Sequence, residues 1–126
     1  MFRFEKLSVW KKSLEFADAV YSATEPFPPR ERFGLTSQLR RAAGSVGANI
    51  AENSSRVSNK DFSRFIEIAF GSLCETIAHL FLAKKRQMIG DPGFGELYSK
   101  ADELSRILSS FRSSLGKWKP EASEGE

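Results

Sequence analysis

The stretch Phe33 to Asn53, FGLTSQLRRAAGSVGANIAEN, limits the possible folds more than any other part of the chain. At about 100° per residue, Leu35, Leu39, Ala42, Ala43, Val46 and Ile50 converge on one apolar stripe. Gly44, Gly47 and Ala51 make a nearly bare strip beside it, and Gln38, Arg41, Ser45, Asn49 and Glu52 gather on a polar one. A glycine inside a helix costs about 1 kcal/mol against alanine. Two of them predict a compensating gain, the close approach of another helix.

Three further helical patterns surround this one. Leu7, Trp10, Leu14, Ala17, Tyr21 and Thr24 alternate steps of three and four, widened by Val9, Phe16 and Val20. Ser8 reads as the N-cap, and Pro26-Phe27-Pro28-Pro29 as the stop, since proline lacks an amide and disfavours a helical predecessor. After a polar connection, Ser58 and Asp61 resemble a capping box for a third helix extending to Ile89. Its main stripe is Phe62, Ile66, Ala69, Leu73, Ile77 and Leu80, with Phe70, Cys74 and Phe81 as a shoulder and Ile68 and Leu82 on the far side. Fourteen of the 22 residues from Phe62 to Ala83 are apolar, more than one core stripe uses. Gly90-Asp91-Pro92 then reads as stop, cap and first turn. Phe94, Leu97, Ala101, Leu104, Leu108, Phe111, Leu115 and Trp118 carry the fourth helix.

These patterns predict an all-α protein: one antiparallel up-down-up-down four-helix bundle over residues 1–119, with helices near 9–24, 35–54, 59–89 and 92–115 and a disordered acidic tail over 120–126. A third helix apolar almost all round predicts self-association, because leaving that surface wet is unfavourable. The 126 residues carry one cysteine, Cys74, which excludes an internal disulfide and a multi-cysteine zinc site. The N-terminus lacks the apolar core of a signal peptide, and no apolar run approaches the roughly 20 residues of a membrane span. The expected location is cytoplasmic. Residues 1–119 hold 19 basic and 13 acidic groups, a surplus of six that favours polyanions as partners.

Three blocks carry a family resemblance: FEKLSVWKKS (Phe4–Ser13), the central FGLTSQLRRAAGSVGANIAEN, and FSRFIEIAFGSLCE (Phe62–Glu75). Over residues 4 to about 115 the chain resembles the bacterial four-helix-bundle proteins encoded in 23S rRNA intervening sequences. The accessory protein of diversity-generating retroelements, a basic protein that binds nucleic acid, is a related branch. The resemblance implies a ring-like homopentamer. No settled biochemical activity comes with it.

No catalytic constellation is visible, so a non-enzymatic protein without cofactor or metal is expected. The candidate nucleic-acid-binding residues are Arg40, Arg41, Arg56, Lys60 and the run Lys84-Lys85-Arg86. Arg41 with Glu52, or Arg40 with a neighbouring subunit, is the competing structural role, and helix-dipole complementarity is the competing role for the run. Gly44, Gly47, Ala51, Phe70, Cys74 and Phe81 are the candidates for helix packing and oligomer contacts, with Cys74 read as a small core residue. Asn49 and Glu52 are read as structural polar groups. Glu75 and His79 share a helix face, but a single pair spaced four apart does not match a di-iron motif. The expected partners are further copies of the chain, RNA or DNA, and, as the alternative to nucleic acid, a polypeptide held by the ring.

Overall fold

The computed structural model describes residues 1–55 and 58–117, with side chains to residue 115. Four helices follow a short 3₁₀ turn at Arg3–Lys6: α1 (Ser8–Thr24), α2 (Leu35–Asn53), α3 (Asn59–Lys85) and α4 (Asp91–Lys117). A second 3₁₀ turn, Pro29–Glu31, lies in the α1–α2 connection. Each helix packs on its chain neighbours and α1 closes against α4, with no diagonal contact between elements among the described residues. That is the cyclic order of an antiparallel bundle. No strand occurs among the described residues.

The core follows the expected stripes on three helices. In α2 all of Leu35, Leu39, Ala42, Ala43, Val46 and Ile50 are buried. In α3, Phe62, Ile66, Ala69, Leu73 and Leu80 are buried, and in α4 Phe94, Leu97, Ala101, Leu104, Leu108 and Leu115. α1 departs from expectation. Its inner face is Val9, Ser13, Phe16, Val20 and Thr24, whereas Leu14 and Tyr21 are exposed. Ser13 takes a core position because its hydroxyl donates to the Val9 carbonyl at 2.8 Å, leaving no polar group unsatisfied.

The small Ser13 also meets the α2 glycine it faces. A Cβ on Gly47 would lie 3.4 Å from Ser13 Cβ and 3.6 Å from Trp10 Nε1, so Gly47 is where α1 comes close to α2. At Gly44, three residues away, a Cβ would meet nothing within 4 Å. The two glycines therefore differ: one is used inside the chain, the other faces outward.

Several helix ends differ from the sequence reading. α1 begins at Ser8 rather than after it, and Leu7 is the cap without a side-chain hydrogen bond. α3 ends at Lys85, not Ile89. Gln87 adopts a left-handed backbone, φ 61°, and its amide and that of Met88 return to the carbonyls of Lys84 and Ala83 at 3.0 and 2.9 Å. This is a Schellman closure with glutamine where glycine is usual, and it satisfies carbonyls that Gly90 was expected to leave for later. α4 starts at Asp91 itself and extends to Lys117. Ser58 does cap α3, its oxygen accepting from the amides of Lys60 and Asp61. The tail over 120–126 and Trp118 lie outside the described residues.

By length and composition α3 is apolar enough to cross a membrane, a property the run-length test did not catch. In the fold, however, one side of it is the bundle core, with Phe62, Ile66, Leu73 and Leu80 packed among residues of the other helices.

Candidate assembly and nucleic-acid surfaces

The surplus apolar residues of α3 lie on its outer side. Ile68, Phe70, Phe81 and Leu82 are exposed, and Cys74 and Ala78 between them are exposed as well. Cys74 is thus a surface residue, not the core residue expected. It follows Phe70 by four positions and precedes Phe81 by seven, so all three share one helical line. At the edge nearest α4, Phe81 packs edge-on against Phe94 at 4.9 Å between ring centroids.

A second outward surface belongs to α2. Gly44 and Ala48 are exposed there and Ala51 half-buried, giving a shallow strip with no large side chain. Asn49 is half-buried beside it and donates to the Ser45 carbonyl at 2.8 Å. Its role is local, holding the α2 backbone near α3, where Ser72 donates to Ser45 Oγ at 3.2 Å. Glu52 is exposed with no ion pair among the described residues, so it fixes no helix register within the single chain.

Between the two surfaces sits a polar cluster. Arg41 donates to Glu75 of α3 and to Gln38, and His79 lies 3.3 Å from the same Glu75 carboxylate. The Arg41 hydrogen bond, aided by His79, outweighs desolvation and holds the Glu75 carboxyl below its ordinary value. Arg41 was expected to pair with Glu52 within α2, but the α3 carboxylate is its partner. A pattern read along one helix cannot see that crossing.

The candidate basic residues separate into engaged and free. Arg40 is engaged: its Nε donates to Thr24 Oγ1 at 2.9 Å, its guanidinium lies 4.7 Å from the Tyr21 ring centroid, and Glu25 is 3.7 Å away. It fastens the end of α1 to α2, a structural role of the kind that competed with nucleic-acid contact for this residue. Lys84 is 3.7 Å from Asp91 and 4.6 Å from the Phe94 ring centroid. Lys60, Lys85 and Arg86 are exposed without an ion-pair partner among the described residues. Arg56 lies outside those residues. The sequence reading passed over Arg30, Arg32 and Phe33 because it treated the proline-rich connection as punctuation. Phe33 is 89% exposed, and the available signal was an aromatic residue outside every apolar stripe. Among the described residues no three His, Cys, Asp or Glu side chains come together as a metal site would require.

A model of the 23S rRNA-intervening sequence protein family matches residues 5–110. Among solved structures, the chain is similar to a protein of unknown function from the S23 ribosomal protein family of Bacteroides thetaiotaomicron, with a TM-score of 0.73 and 28% identity. That match covers 82% of this chain and 97% of the other. No curated protein matches the chain.

Proposed function

We propose, from the premise that the chain belongs to the 23S rRNA-intervening sequence protein family, that it is a non-enzymatic scaffold which assembles with copies of itself and binds nucleic acid. The observation that carries this reading is the outer side of α3, where Ile68, Phe70, Cys74, Ala78, Phe81 and Leu82 stand in solvent in the single chain. Apolar area is stabilised by about 25 cal/mol for each Å² removed from water, so a second copy covering this side has a large driving force. A bilayer is a poorer cover, because the Arg41–Glu75–His79 cluster borders the same side and would be drawn into hydrocarbon.

The bulky α3 surface and the bare Gly44–Ala48 strip are different patches on one molecule. A contact of one with the other is head-to-tail, and head-to-tail contacts close into rings when the rotation permits. The pentamer implied by the resemblance is one such closure. Nucleic acid enters from charge: a basic surplus, together with free cations at Lys60, Lys85 and Arg86. A cytoplasmic location belongs to the same reading.

Light scattering on the purified chain tests the assembly. The expected result is a discrete oligomer that Phe70→Glu with Leu82→Lys converts to a folded monomer. A wild-type chain that stays monomeric at high concentration would end this reading.

A further inference from the structure

The antiparallel order brings the α1–α2 connection and the α3–α4 turn to the same end of the bundle. An open groove joins them, lined by Glu31 and Leu35 on one side and Leu82 and Arg86 on the other. Three of the acids at this end are already committed, and Glu96 is exposed without an ion pair among the described residues. Glu25 faces Arg40 at 3.7 Å, a Glu31 oxygen accepts the Leu35 amide at 3.0 Å, and Asp91 faces Lys84 at 3.7 Å. Four exposed cations are left over. Arg30, Arg32, Lys85 and Arg86 have no ion-pair partner among the described residues.

Among them stands Phe33, whose side chain is, among the described residues, the most exposed large apolar group after Met1. The Arg32 guanidinium lies 5.4 Å from its centroid. An aromatic ring held in water between an arginine and a glycine adds nothing to the core. It presents a flat apolar face flanked by cation, the pairing that a base and its phosphate occupy.

We infer that this end of the bundle docks an unpaired nucleic-acid strand, with Phe33 stacking on a base and Arg30, Arg32, Lys85 and Arg86 taking phosphates. The partner class rests on the nucleic-acid half of the function proposed above; the site does not. An unpaired strand fits better than a duplex because only an unstacked base can offer its face to Phe33. Four phosphate contacts on a single strand imply a salt slope of roughly 0.7 per contact.

Fluorescence anisotropy with labelled oligo-uridine, oligo-thymidine and a blunt duplex, titrated at several salt concentrations, tests this. Phe33→Ala is expected to weaken strand binding by about 5- to 160-fold, the range for losing one stacked base, while Phe33→Trp retains it. Arg30→Ala with Arg32→Ala, and Lys85→Ala with Arg86→Ala, are expected to flatten the salt slope. Lys6→Ala with Lys11→Ala, exposed at the opposite end, is expected to leave it unchanged. Light scattering is expected to give the same particle mass for Phe33→Ala as for wild type.

If wild type binds no strand at low salt, the nucleic-acid reading falls and this site with it. If strands bind but only Lys6→Ala with Lys11→Ala weakens them, the reading stands and this site is wrong. Equal affinity for the duplex with a silent Phe33→Ala overturns the inference. So does tighter binding of anionic vesicles or polyglutamate, or dissociation of the oligomer by Phe33→Ala.

Discussion

α3 and α4 are both 27 residues long, run antiparallel, and share one core, yet their outer sides are opposites. α4 turns Ser99, Asp102, Arg106, Ser110 and Ser113 to solvent, whereas α3 turns out Ile68, Phe70, Cys74, Ala78, Phe81 and Leu82. Both inner faces meet the same demand, so the difference lies in what each helix turns outward. α4 turns mostly small and charged residues to solvent, with Arg106 and Asp102 paired at 3.2 Å and Tyr98 as its one exposed large apolar side chain among the described residues. The excess on α3 is what the proposed contact with a second copy would cover.

The comparison is broken most sharply by substituting the inner and outer sides of α3 in turn. Phe62 is fully buried and stacks edge-on with Phe111 at 5.5 Å. Phe62→Ala is expected to cost about 3–5 kcal/mol and to lower the denaturation midpoint equally at every protein concentration. Leu82→Ser, at a half-exposed position, is expected to change the monomer within about 0.5 kcal/mol. It should still remove the part of the stability that rises with concentration. Ser110→Glu on α4 should do neither. An outer-side change as damaging as Phe62→Ala at all concentrations would mean that the exposed residues serve the fold.

The glycines of α2 sharpen the same contrast at smaller scale. With open space around it in the single chain, Gly44→Ala is expected to gain up to about 1 kcal/mol of helix propensity. The same change at Gly47 brings a methyl to 3.4 Å from Ser13, so its gain should be smaller. Gly47→Leu is expected to lose about 1–3 kcal/mol by pushing α1 away. Urea midpoints of the monomeric background (Phe70→Glu with Leu82→Lys) measure all three. Equal responses at the two positions would erase the distinction.

How much of this was legible beforehand follows from where each signal lives. The buried stripe of α2 could be read completely because its residues differ so much in size that stripe and bare strip separate on one helical wheel. α1 could not: the buried Ser13 looks polar, and only its match to Gly47 across the helix pair explains it. The end of α3 was misplaced because Gln87, with no glycine to announce it, takes the left-handed position. Of the candidate site, the outer apolar line of α3 was visible as surplus surface, and only Cys74 was put on the wrong side of it. Arg40 and Arg41 were visible as cations. Their partners, Thr24 and Glu75, come from other helices and are invisible to spacing along one.

The smallest expected effect belongs to that Arg41–Glu75–His79 cluster, where the polar edge of α2 meets the apolar side of α3. Because the folded Glu75 carboxyl sits below its ordinary value of 4.5, the folded state binds its proton less readily than the unfolded chain does. Its stabilising contribution is therefore complete above the unfolded value and is lost as pH falls through the lower folded one. Side-chain exposures of 38% for Glu75 and 54% for Arg41 leave the pair well screened, so the effect should stay below about 1 kcal/mol. Glu75→Gln is expected to lower the urea midpoint slightly at neutral pH and to converge with wild type in acid. A gap that widened as pH fell would show that the carboxylate opposes folding, and that Arg41 is turned toward α3 for some reason other than this ion pair.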